Sequence, residues 1–126
     1  MRCKLLLLAL GLFYSSLFAQ EFKGEASYYP KSFDGNMTAS GEAFDSALFT
    51  AAHCSLPFNT KVKVTNLSND KSIIVKINDR GPFVDGRIID LSRSAAKKLG
   101  FIRKGVARVK IEILDNQRIK TDTTKH

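Results

Sequence analysis

The chain has 126 residues, which allows one domain and excludes a multidomain enzyme. Its 20 Lys+Arg outnumber 12 Asp+Glu to give a net charge of +8, a balance that favours anionic partners, and 44% hydrophobic residues suffice for a packed core. Two Cys and two His exclude a disulfide-dense scaffold and a zinc site made only of those residue types.

In chain order, residues 1–19 (MRCKLLLLALGLFYSSLFA) carry Arg2 and Lys4, then an apolar run, then Ser15, Ser16 and Ala19. That is the layout of a secretory signal peptide. The apolar stretch of about 15 residues is shorter than the roughly 20 needed to span a bilayer. Cys3 precedes the apolar run, so it is lost with the signal and offers no site for lipid attachment. The expected product is an exported domain of the periplasm or cell envelope, residues 20–115, without a lipid anchor. A polar tail at 116–126 shows no periodicity.

Within the domain, Phe22–Tyr29 reads as a strand and 30–41 as a turn-rich stretch. Residues 47–54 are mostly apolar. Lys61–Leu67 (KVKVTNL) alternates, with Val62 and Val64 on one face, and Ser72–Asn78 (SIIVKIN) follows after Asn69-Asp70 as a hairpin partner. Arg87–Leu91 is a short strand. Ser92–Leu99 is the one convincing helix, with Ser92 as N-cap, Ala95, Ala96 and Leu99 as the apolar side and Gly100 as the stop. Residues 105–114 alternate again, with Val106, Val109, Ile111 and Ile113 as candidate core. Short strands, close turns and a single helix point to a small, mainly β barrel.

Three segments place polar and charged groups beside apolar strands: TASGEAFD (38–45), LFTAAH (48–53) and NDRGPF (78–83) with GRIIDLS (86–92). Burying such groups is costly unless they pair with one another or line a cleft. On its own, Asp79-Arg80 before Gly-Pro also reads as a turn with a structural ion pair, Glu42 and Asp45 as a solvated loop, and His53 as a half-buried structural histidine. Asp90 reads as structural, paired with Arg80 or Arg87 beside the helix start. Cys54, next to His53, raises a thiol nucleophile, but the bland reading is a small, half-buried apolar residue.

These motifs, together with GEASYY (24–29), SLPFNTKVKVTNL (55–67) and GRIIDLSRSAAKKLG (86–100), resemble the rare lipoprotein A (RlpA) family of bacterial envelope proteins. The resemblance covers nearly the whole domain. It implies a six-stranded double-psi β-barrel, related to the first domain of expansins, and a peptidoglycan lytic transglycosylase, a lyase that prefers glycan strands stripped of peptides. It places the catalytic cleft on Glu42, Asp45, His53 and Asp79. Around these, Tyr28, Tyr29, Thr38, Ser40 and Arg80 are candidates for binding substrate, with Arg87 and Asp90 structural. Where family members commonly have Arg after the His, this chain has Cys54. Lipobox cysteines and SPOR domains are common in the family, and neither motif is found in this sequence.

Cutting a glycosidic bond requires a proton on the leaving oxygen and support for an oxocarbenium-like centre. In a lytic transglycosylase the muramic acid 6-hydroxyl replaces water as the nucleophile, so one carboxyl can act first as acid and then as base. Asp79 is the first candidate for that carboxyl and Glu42 the second. Asp45 is placed to hold or polarise the sugar, and His53 to bond a carboxyl and set its protonation. No cofactor or metal is expected, because no metal motif or phosphate-cradling glycine loop is present. A monomer bound to peptidoglycan, with other envelope or division proteins as further partners, is expected. Nucleic acid is not, given the export signal and the lack of a binding motif. The competing reading is an expansin-like module that grips glycan without cutting it.

Overall fold

The computed structural model describes residues 20–114, so the leader at 1–19 and the tail at 116–126 lie outside the described residues. Six strands form a closed barrel: β1 (Glu21–Tyr28), β2 (Thr50–Ala52), β3 (Lys61–Asn66), β4 (Ser72–Asp79), β5 (Arg87–Leu91) and β6 (Ala107–Ile113), with one helix, α1 (Arg93–Leu99). Around the barrel the order is β1-β5-β2-β4-β3-β6. The β1–β5 and β2–β4 pairs are parallel and the other four are antiparallel. The mainly β class and six-stranded barrel expected from the sequence are the architecture observed.

The clean alternation of β3 sends Val62 and Val64 fully inward, where they meet Val75 and Ile77 of β4, Ile89 and Leu91 of β5 and Val109 and Ile111 of β6. Each such side chain contributes roughly 1.5–3 kcal/mol of burial. Val106 does not join them. It is 42% exposed, because β6 starts at Ala107 after Gly105 (φ 76°), and the inward parity of Val109 and Ile111 falls on 107. In β1, Gly24 lies so close to β5 that a Cβ there would stand 2.6 Å from Ile88 Cγ2, so only glycine lets the strands meet.

Helix α1 follows its sequence signals. The Ser92 hydroxyl accepts from the Ala95 amide, Ala95, Ala96 and Leu99 are buried, and Gly100 ends the helix in a left-handed conformation at φ 77°. The buried Asn66 of β3 donates its amide to the Leu99 carbonyl at 2.8 Å, and Asn69 does so at 2.9 Å. These bonds tie the end of α1 to the β3–β4 hairpin.

Closure matters for the site because it brings distant strand ends into one row. Ser27 pairs with Asp90, Asp90 with Ala52, and Ala52 with Asp79, so β1, β5, β2 and β4 contribute neighbouring positions. Between β1 and β2 the chain leaves the barrel as an arm, 34–46. Its base is clamped by Asp34, whose carboxylate accepts from the Ser46 amide (2.6 Å) and hydroxyl (2.8 Å). Above the clamp, Gly35 and Phe44, then Asn36 and Phe44, exchange backbone bonds, and Met37 bridges Ala43.

Candidate active site

The arm lies across the end of β4. The Ser40 amide donates to the Asn78 carbonyl (3.2 Å) and the Ala39 amide to Asp79 Oδ1 (2.9 Å). Asp79 also accepts from its neighbour, the Arg80 amide, at Oδ1 (2.9 Å), and from the Tyr29 hydroxyl at Oδ2 (2.6 Å). In each of these contacts the carboxylate is the acceptor, so the donors fix where its two oxygens stand.

Glu42 stands on the same arm. Its Oε2 meets Lys76 Nζ of β4 at 2.8 Å, with the Glu42 side chain 45% exposed. Lys76 interrupts the apolar run SIIVKIN of β4, and nothing in the sequence marks it as Glu42's partner. The buried Thr38 shapes the turn below. Its hydroxyl donates to the Glu42 carbonyl (2.7 Å) and lies 2.9 Å from the Ser40 hydroxyl, which in turn accepts from the Glu42 amide (3.3 Å). Thr38 and Ser40, expected at the sugar, thus first serve to hold the loop that carries Glu42.

His53 departs from its expected role. Its side chain is buried at 7% exposure, and Nδ1 accepts the amides of Ser55 (3.1 Å) and Leu56 (3.0 Å). The neutral ring therefore carries its proton on Nε2. Burial, and then the positive Arg80, lower its pKa to about 4. The link to Asp79 runs through backbone alone, from the His53 amide to the Asp79 carbonyl at 3.1 Å. The imidazole caps a turn; among the described contacts it bonds no carboxyl and sets the protonation of none.

Arg80 completes that turn. Its Nη1 donates to the carbonyls of Leu56 (2.8 Å) and His53 (3.3 Å), and its guanidinium lies 4.1 Å from the centre of the Phe58 ring. Among the described residues it forms no ion pair with Asp79; its Nη1 is given to chain carbonyls. Asp45 is exposed, and its Oδ1 accepts the Ala47 amide (2.9 Å) in a local turn beside the clamp.

The two tyrosines separate as strand neighbours must. Tyr28 hydrogen-bonds the Ile102 carbonyl (2.8 Å) and packs edge-on against Phe101, so it belongs to the α1 side of the barrel and not to the cleft. Tyr29 faces Asp79. Burial, the hydrogen bond to Asp79 and the charges of Asp79 and Asp90 all hold its phenol well above the ordinary tyrosine range. Asp90 is buried against the Ser27 hydroxyl and pairs with Arg87 (3.1 Å), not with Arg80.

The structure therefore gathers Asp79, Tyr29 and the Thr38–Glu42 turn at the open end of β4. It leaves Asp45, Tyr28 and the His53 ring outside that group. A cleft of about 640 Å³ lies elsewhere, lined by Glu25, Asn66, Phe101, Arg103, Lys104 and Arg108, and contains none of the expected catalytic residues.

A family model described as "Lytic transglycolase" matches residues 21–111. The chain belongs to the RlpA family. It is 55% identical over 95 residues to the endolytic peptidoglycan transglycosylase RlpA of Pasteurella multocida, covering 75% of this chain and 32% of that protein. To the Haemophilus influenzae protein of the same name it is 55% identical over 92 residues, covering 73% of this chain and 32% of the relative. The chain thus spans about a third of the length of the curated relatives it matches. Among solved structures, the Streptomyces papain inhibitor superposes with a TM-score of 0.62 at 24% identity over 76% of this chain and 96% of that one. An expansin of Clavibacter michiganensis gives a TM-score of 0.62 at 20% identity, covering 77% and 52%. These likenesses establish the double-psi barrel fold of this RlpA domain.

Proposed function

We propose that this RlpA domain is a peptidoglycan lytic transglycosylase that cleaves MurNAc–GlcNAc bonds and leaves 1,6-anhydro-MurNAc ends, acting best on strands stripped of peptides. The observation that carries the reading is Asp79, a carboxylate held by three donors at the end of β4, with a second carboxyl, Glu42, on the arm that crosses that end. The names and the identity of the RlpA relatives support it.

The environments divide the two roles. Asp79, an acceptor in every contact, suits the base: it takes the proton of the muramic 6-hydroxyl as that oxygen closes on C1, and its charge steadies the oxocarbenium-like centre. Glu42 suits the acid. Its ion pair with Lys76 is exposed and hence weak, which leaves the carboxyl open to a docked sugar. The proton then passes from Glu42 to the leaving oxygen, while the 6-hydroxyl proton ends on Asp79. The substrate also carries carboxylates, which the chain's positive charge attracts.

The setting in this reading is the cell envelope, after export and cleavage near Gln20, without lipid. N-terminal sequencing of envelope protein tests that part, and an intact Met1 in a membrane species contradicts it. Activity is tested on purified, amidase-treated sacculi, with soluble products read by mass spectrometry. Anhydro-muramyl ends support the enzyme. Sacculi that are bound but uncut support the glycan-gripping module instead.

A further inference from the structure

We propose that Tyr29 is a positioning residue for Asp79, fixing the orientation of its carboxylate without touching the sugar; the kinetic part of this inference rests on Asp79 acting in the reaction. The argument begins with how the carboxylate's two oxygens are divided. Oδ1 takes two backbone amides, Ala39 and Arg80, both at 2.9 Å. Oδ2 takes the Tyr29 hydroxyl at 2.6 Å. The phenol is therefore the one side-chain donor among these contacts and the one that holds the second oxygen, adding to the hold of the two amides on the rotation of the group.

Tyr29 is itself held on three sides. Its amide donates to the Leu91 carbonyl (3.0 Å), and its ring packs against Phe33 (centroids 5.7 Å) and Phe44 (4.9 Å). The phenol keeps its proton, because burial and the charges of Asp79 and Asp90 disfavour the phenolate, so it stays a donor at every working pH. Phe33 is the more exposed ring of the pair, at 43%, while Tyr29 is half-buried with its hydroxyl committed to Asp79. That commitment favours a positioning role over the direct substrate contact expected from the sequence.

The charged and titratable groups around Asp79 come from each neighbouring element. They are Tyr29 after β1, Glu42 with Lys76 on the arm and β4, His53 after β2, Arg80 just after β4, and Asp90 with Arg87 on β5. Replacing Tyr29→Phe leaves the others and the aromatic ring in place and removes one hydroxyl.

The experiment uses the purified protein and three readouts. The first is the ¹³C-carboxyl chemical shift of Asp79 at one neutral pH in wild type and Tyr29→Phe; it is expected to move, since Oδ2 loses its side-chain donor. The second is cleavage of amidase-treated glycan, where kcat falls about tenfold while KM is unchanged, because a misaligned group slows the step without altering binding. The third is thermal melting, expected to stay within a few degrees. A Tyr29→Phe protein with lowered melting and an unmoved Asp79 carboxyl signal means a merely structural role, and overturns the proposal. Wild-type kcat in Tyr29→Phe with raised KM in Tyr29→Leu means sugar stacking, and also overturns it. Asp79→Asn is assayed alongside. If it cleaves normally, the role of Asp79 fails and takes the kinetic part with it. If it is inactive while the Asp79 carboxyl signal and kcat of Tyr29→Phe are unmoved, the role of Tyr29 fails alone.

Discussion

His53 gives the sharpest link between this structure and a measurement. It is the one histidine among the described residues, and its pKa falls from 6.5 to about 4 on folding, through burial first and the Arg80 charge second. In the unfolded chain the same ring protonates near 6.5. Below that pH the unfolded state binds the proton and the folded state refuses it, so the stability held above pH 6.5 is lost as pH falls towards 4. A gap of this size corresponds to roughly 3 kcal/mol in the limit, of which about 2 kcal/mol appears between pH 7 and 4.5. Urea unfolding at stepped pH measures it directly. Carboxylates titrate in the same range, so the test is a difference between wild type and His53→Asn. The Asn side-chain oxygen replaces Nδ1 as the acceptor for the Ser55 and Leu56 amides but binds no proton. The variant is expected to keep most of its neutral-pH stability and to lose about 2 kcal/mol less than wild type on acidification. Equal pH slopes for the two proteins, or an NMR titration of His53 near 6.5, would refute the reasoning.

Asp79→Asn is expected to fold, because the amide oxygen still accepts the Ala39 and Arg80 amides and its NH₂ can face the Tyr29 oxygen; anhydro-product release should fall roughly 10²–10⁴-fold, read by mass spectrometry beside a melting curve. Glu42→Gln should lower cleavage by a similar or smaller factor and leave melting nearly unchanged, since an exposed ion pair stabilises by about 1 kcal/mol at most. Asp90→Ala should lower stability by about 3 kcal/mol in urea unfolding, because it strips the Arg87 guanidinium, whose buried Nε already has no bonding partner, of its carboxylate. Cys54→Ser should cleave within a few-fold of wild type; complete loss in a folded protein would restore the thiol nucleophile.

What the sequence disclosed follows the reach of its signals. Alternation in KVKVTN and the caps at Ser92 and Gly100 are local, and β3 and α1 form where they predict. The Asp79–Tyr29 contact joins positions fifty residues apart, and barrel closure alone produces it. Strand parity did carry unused information. Tyr28 and Tyr29 cannot face one site, and Val106 is out of phase with Val109 and Ile111. The role of His53 was illegible for another reason: its partners are the backbone amides of Ser55 and Leu56, which no residue type announces.

The clamped arm has a consequence for how such domains diversify. Asp34 and Ser46 close its base with two bonds, and the segment between them holds its own internal ladder. Glu42 and the Ala39 amide thus travel on a cassette whose ends already lie side by side. Exchanging 34–46 between relatives would transplant an acid and its approach angle while the six strands keep their register, so the barrel is a socket into which different chemistries can be plugged.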